Sequence, residues 1–162
     1  MAHSIIHYPD PRLRKPTKEV TDFGNDLSTL IAEMVFLMKE ADGVGLAAPQ
    51  IGEPLRLAVV LIEDQLYVLA NPEIIEEEGT QTDEEGCLSF PGIYGDVTRP
   101  MKIKVRAQNE KGETMYYEAE GFVARAFCHE IDHLSGKLLL DKFSPMKREM
   151  INKRLQKEKA NA

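Results

Sequence analysis

The chain has 162 residues, 43% of them hydrophobic, and a formal net charge of −7. That is the size of one ordinary domain with enough apolar residues for a core, which excludes global disorder. The acidic balance argues against DNA as a partner, no stretch approaches the roughly 20 apolar residues of a membrane span, and residues 1–7 lack a secretory pattern, so we expect a cytoplasmic monomer. Two cysteines, Cys87 and Cys128, are too few for a disulfide framework. Charge is unevenly spread: residues 146–162 hold six basic and two acidic side chains, giving +4 there and −11 on the remainder.

In chain order, the prolines of Tyr8-Pro9-Asp10-Pro11 predict an extended loop. Apolar residues at helical spacing over 26–41 predict an amphipathic helix, with Asn25 or Asp26 as its N-cap and its methionines as core filler. Residues 57–62 and 66–70, flanking Glu63-Asp64, predict a β-hairpin, and 103–107 with 114–119, flanking a Gly-containing turn, predict a second. Helical character returns at about Gly121 and stops near Gly136. A short apolar connection over 137–143 leads to Pro145, which opens a basic helix over 146–157. The fold class expected is α+β: mainly antiparallel strands around a central helix, flanked by N- and C-terminal helices, in one catalytic domain spanning 1–162.

The strongest chemical signal is His129-Glu130-Ile131-Asp132-His133, an H-E-x-x-H pattern on the central helix. Residues i and i+4 share a helix face, so both imidazoles can reach one metal ion, while Glu130 stands one step round as a proton carrier. Phe122 and Ala126 precede the histidines on that face. A catalytic metal site wants a third protein ligand and an open position. Leu139 stands where one peptidase pattern has a third histidine, and Asp141, Glu149 and Glu158 are weak choices. Upstream, Glu85-Gly86-Cys87-Leu88-Ser89 offers a thiol whose thiolate suits a first-row metal. A third segment, Gly43-Val44-Gly45-Leu46-Ala47-Ala48-Pro49-Gln50, argues by itself only for close backbone packing and an amide at Gln50.

Together the three segments resemble bacterial-type peptide deformylases, whose motifs are G-x-G-x-A-A-x-Q, E-G-C-x-S and H-E-x-D-H. Every fixed position is matched, by Gly43, Gly45, Ala47, Ala48 and Gln50, by Glu85, Gly86, Cys87 and Ser89, and by His129, Glu130, Asp132 and His133. The resemblance runs from Ile5 to about Lys147, with one departure: Cys128 stands where many members have Gln. It implies hydrolysis of the N-formyl group from N-formylmethionyl peptides, releasing formate. It also implies Cys87, His129 and His133 as ligands of one divalent metal, Fe2+ natively, with Zn2+, Ni2+ or Co2+ able to substitute.

On this reading Glu130 moves the proton, while the Gln50 side chain and the Leu88 backbone N–H stabilise the formyl oxygen. Val44, Phe122 and Ala126 would line a methionine pocket, although Phe122 reads equally well as core. Gly43 to Gly45 would pair with the substrate main chain. Asp132, with Arg99 or Arg125, would hold the ligands in place, a surface or structural ion pair being the plainer reading of either arginine. Competing readings are an H-E-x-x-H endopeptidase and a non-catalytic, metal-stapled binding domain. For the tail, Met146, Met150 and Leu155 are expected to pack while Lys147, Arg148, Lys153, Arg154 and Lys157 face solvent, either as a plain solvated helix or as a contact for ribosomal phosphates.

Overall fold

The structure, a computed structural model, describes residues 3–160. A short turn at Pro11–Arg14 interrupts the N-terminal arm, so the proline-rich opening is not extended throughout. Asp10 accounts for the difference: its carboxylate accepts the Arg12 N–H and caps the turn. Helix α1 is Asn25–Glu40, and Gly24, not Asn25 or Asp26, occupies the N-cap. The Asp22 carboxylate accepts the Gly24 N–H just ahead of it, so the entry turn closes one residue early.

Seven strands follow: β1 (Gly45–Ala47), β2 (Leu57–Ile62), β3 (Gln65–Glu78), β4 (Gln81–Cys87), β5 (Phe90–Arg99), β6 (Lys102–Gln108) and β7 (Thr114–Glu120). Helix α2 (Phe122–Leu134), a turn at Leu139–Lys142 and helix α3 (Pro145–Ala160) complete the described residues. Five strands form an antiparallel sheet in the order β1-β2-β3-β6-β7, and β4 pairs with β5 in a separate ribbon. Both expected hairpins, β2–β3 and β6–β7, are present.

Strand β3 runs eight residues past the expected end at 70. Asn71-Pro72 looks like a terminator, but a register shift between Ala70 and Glu73 absorbs it. Asn71 takes positive φ there, and its amide bonds Val20 and Gln108. Strands β1, β4 and β5 were not anticipated. In β4, Gln-Thr-Asp-Glu-Glu lacks apolar alternation because most of it is exposed, and Pro91, Gly92 and Gly95 obscure β5.

Pleating divides the core. On β2, Leu57 and Val59 face α1, packing with Leu27, Ile31, Met34 and Met38, whereas Ala58 and Val60 face α2. The sheet is thus covered on both sides, which is why β2 reads as an unbroken apolar run. Nearly all of α2 from Ala124 to Leu134 is buried, with Asp132 the exception. Helix α2 is therefore the central helix, and polar groups on it must find partners.

Helix α3 is docked on the body of the domain and is not a plainly solvated helix. Ile151 is buried beside Phe90, Phe143 and Leu139, Leu155 packs on the same cluster, and Asn152 accepts the Tyr8 hydroxyl. The expected packing face is wrong: Met146 and Met150 are 74% and 65% exposed. Lys147 does not face solvent freely either, since its Nζ donates to the Tyr94 carbonyl and lies over the Phe143 ring. The contact stripe is set by Ile151 and Leu155 at i, i+4, leaving the methionines outside it.

Candidate metal centre and substrate cleft

The two histidines of α2 meet edge to face at i, i+4, with ring centroids 5.0 Å apart and planes inclined by 60°. Strand β4 ends at Cys87, and the β4–β5 turn holds its Sγ 3.3 Å from His133 Nε2. One donor atom from each of Cys87, His129 and His133 falls within 4.8 Å of the others, close enough for one ion. Of the alternatives, Asp141 is engaged elsewhere, with Arg14 and the Leu138 N–H. Cys128 is buried in the core between α2 and the sheet, and burial pushes its thiol up to about 11. A neighbour of a ligand on a helix points away from it, and here it faces apolar packing.

A buried charge network grips the first histidine. Glu85 Oε1 accepts His129 Nδ1 at 2.7 Å and Arg99 Nη2 at 2.7 Å, and its Oε2 accepts Arg99 Nε and Arg125 Nη1. Arg99 Nη1 also reaches Asp132. Burial works to raise the Glu85 carboxyl, but the bonds from His129 and Arg99 outweigh it and hold the group well below the ordinary carboxylate range. Glu85 is therefore ionised and fixes the His129 ring with Nε2 free to face the cleft. Both arginines are 4% exposed, so of the surface and structural ion pairs expected of them it is the structural kind that forms. Sequence reasoning missed the role of Glu85. Its place in the E-G-C motif was visible, but nothing in the linear pattern shows a carboxylate meeting an imidazole 44 residues away.

Glu130 is 4% exposed, and its Oε1 has no hydrogen-bond partner among the described residues. Burial pushes this carboxyl up to about 7. Its Oε2 lies so close to Gly45 that any Cβ there would collide with it. Gly86 is constrained likewise, because a Cβ would stand 2.5 Å from the Tyr94 ring. Gln50 accepts the Ala47 N–H through Oε1, which orients the amide so that Nε2 meets Ser89 Oγ at 3.1 Å and lies 3.6 Å from Cys87 Sγ.

These groups open on a cleft of about 420 Å³. Gly43, Val44, Gly45, Gln50, Cys87, Leu88, Phe122, Ala126, His129 and Glu130 all line it. His133 alone does not, being buried behind Cys87. Phe122 is 57% exposed at the cleft, so it is not ordinary core. Tyr94 and Arg125 also line the cleft; the sequence offered no signal for Tyr94, and for Arg125 a supporting or ion-pair role but not a place in the cleft wall. No helix among the described residues is long and apolar enough to cross a membrane.

A thiol and an imidazole in the wall of an open cleft, a second imidazole within ligand distance of the thiol, and a buried carboxyl group beside them with no partner among the described residues point to a metal-dependent hydrolase. The polypeptide deformylase family model matches residues 2–149. A peptide deformylase of Acidobacterium capsulatum is 46% identical over 162 residues, covering 97% of this chain and 95% of its own. Peptide deformylase 1 of Bacillus subtilis is 51% identical over 142 residues, covering 86% and 89%. The crystal structure of a peptide deformylase from Legionella pneumophila superposes with a TM-score of 0.92 at 45% identity, covering 99% of this chain and 96% of that one. The chain belongs to the polypeptide deformylase family, metal-dependent hydrolases that remove the formyl group from nascent peptides. The endopeptidase and binding-domain readings fall away with that finding.

Proposed function

We propose that the whole chain acts as one catalytic domain in which Cys87, His129 and His133 hold a single divalent ion and Glu130, Gln50 and Leu88 carry the deformylation chemistry. The observation that carries the reading is the convergence of donor atoms from a thiol and two imidazoles at the edge of a cleft that Glu130, without a hydrogen-bond partner among the described residues, also lines. The donor set fits a metal: His129 is held through Nδ1, leaving Nε2, and His133 turns its Nε2 toward Cys87. Fe2+ is the native ion on this reading, with Zn2+, Ni2+ or Co2+ as substitutes, since thiolate and imidazole suit all four.

A divalent ion bound there supplies Lewis acidity, acidifying water and polarising the formyl carbonyl. Glu130 accepts the proton of the attacking water and later delivers it to the amine nitrogen as the carbon–nitrogen bond breaks and formate leaves. Gln50 Nε2 and the Leu88 N–H donate to the formyl oxygen as charge builds on it. The substrate main chain runs along Gly43, Val44 and Gly45. Strand β1 is an edge whose other side already pairs with β2, so an extended peptide can add to it. The methionine side chain rests against Phe122, Ala126 and Val44. Formate release from formyl-Met-Ala-Ser, with none of the peptide bonds of the unformylated peptide cut, tests the assignment. Anaerobic metal analysis tests the ion.

Gln50→Leu should lower kcat by about 10²-fold and change KM less, because the donated bond strengthens only as the oxygen gains charge. Weaker KM at unchanged kcat would reassign Gln50 to ground-state binding.

The enzyme acts in the cytoplasm as a monomer, on peptides emerging from the ribosome, with α3 meeting ribosomal phosphates. What supports the ribosome contact is the +4 tail on a −11 body. Because Ile151 is core, deletion of the helix is a poor test, and neutralising the exposed Lys153, Arg154 and Lys157 to Gln is a better one. The triple variant should keep hydrolysis of a short formyl-peptide within about two-fold while losing salt-sensitive co-sedimentation with ribosomes. Equal co-sedimentation at low salt would remove the tail from the function.

A further inference from the structure

Ser89 closes the segment that carries Cys87, yet it is 0% exposed and is not among the residues that line the cleft. A hydroxyl sealed from solvent costs stability unless it is bonded, so alanine would serve better there as packing alone. Among the described residues the one partner of that hydroxyl is Gln50 Nε2, at 3.1 Å. Gln50 is itself 1% exposed, on the turn Ala48–Ile51. Its amide has an oxygen end and a nitrogen end of nearly the same shape, and only the nitrogen end can donate to a substrate oxygen. Two contacts settle which end faces which way. The Ala47 N–H, a donor only, takes Oε1 at 2.9 Å, and Ser89 Oγ then accepts one of the two Nε2 hydrogens. The other hydrogen is left with Cys87 Sγ, a weak acceptor at 3.6 Å, so an oxygen arriving in the cleft is a better partner for it. The backbones behind the pair are tied as well. The N-terminal arm donates the Ile6 N–H to the Gln50 carbonyl and the Tyr8 N–H to the Ser89 carbonyl, each at 2.8 Å.

We propose that Ser89 is a positioning residue of the deformylation reaction, its hydroxyl locking the Gln50 amide so that one Nε2 hydrogen stands ready for the formyl oxygen. Ser89 acts through Gln50 and touches no substrate. The inference rests on the reading of Gln50 as a donor to that oxygen. A donor already aimed costs no reorganisation as charge builds, whereas an amide free to turn about its last bond must be brought into line at each turnover. The contribution therefore falls on kcat and not on substrate binding.

A double-mutant cycle on metal-loaded enzyme decides the matter, with formate release from formyl-Met-Ala-Ser and metal content measured on each preparation. Ser89→Ala should lower kcat about ten-fold, with KM within about two-fold of wild type and metal at the wild-type stoichiometry. In the Gln50→Leu background the same substitution should change kcat by less than about two-fold, because the group it orients is gone. A serine that merely supported the fold would cost the same factor in both backgrounds, and that result overturns the proposal, as does wild-type kcat in Ser89→Ala. Relaxation of the 15N-labelled Gln50 side-chain amide gives a second readout on Zn2+-loaded protein. Its order parameter in wild type should match rigid backbone, about 0.85, and fall in Ser89→Ala. A mobile Gln50 amide in wild type overturns the proposal with no substitution made. Wild-type kcat in Gln50→Leu would instead fail the reading of Gln50 on which it rests, and no hydrolysis by metal-loaded wild type would fail the reading of the cleft.

Discussion

Glu130→Gln is expected to bind metal at the wild-type stoichiometry and to lose turnover by about 10²–10⁴-fold. The amide keeps the size and shape of the carboxyl, so it still fits against Gly45, where no Cβ could be accommodated. It cannot take a proton from water or return one to the leaving amine. Oε1 is buried with no partner, so its loss as an acid–base group breaks no resident hydrogen bond. The α2 helix should therefore stay in place and the three donor atoms remain converged. Metal content and formate release, measured on the same preparation, separate the possibilities. Loss of metal together with activity would make Glu130 a ligand and the proposed division of roles wrong.

Cys87→Ser, His129→Ala and His133→Ala should each lose metal and activity together, and of the three His129→Ala should disturb the fold most. Serine is a far weaker donor than thiolate for a first-row metal, so Cys87→Ser opens the coordination shell without changing side-chain size much. Removing His129 leaves Glu85 to balance two buried guanidiniums without its imidazole partner. Breaking into a buried charge network is costly because the remaining groups stay desolvated. Thermal unfolding should therefore show a larger drop in Tm for His129→Ala than for Cys87→Ser in metal-free protein. Stoichiometric metal with full turnover in a Cys87 variant would remove that residue from the ligand set.

Some of the site was legible because its signals are local. His129 and His133 are four residues apart on a helix, and helical geometry alone brings them together. The hairpins β2–β3 and β6–β7 were legible for the same reason, each being two apolar runs around a short turn. Cys87 was reached through the family resemblance, since a Gly-Cys-Leu tripeptide carries no chemical signal by itself. The ribbon of β4 and β5, which brings that thiol to the histidines, was not legible. Its exposed acidic stretch hides β4, and Pro91, Gly92 and Gly95 break up the alternation by which β5 buries Phe90, Ile93 and Val97.

The chain by itself determined the class of domain, the helix that pairs His129 with His133 and the kinds of atoms available to the site. These depend on residue type and on spacing within a few turns of chain. Only the tertiary structure decided that Glu85 would meet His129, that Arg99 and Arg125 would be buried against it, and that Met146 and Met150 would be left in solvent while Ile151 docked. The physical reason is common to all three. A helical or strand period is set by the backbone within one segment, whereas the partner of a buried charge, or the face by which a helix docks, depends on which distant segment arrives beside it.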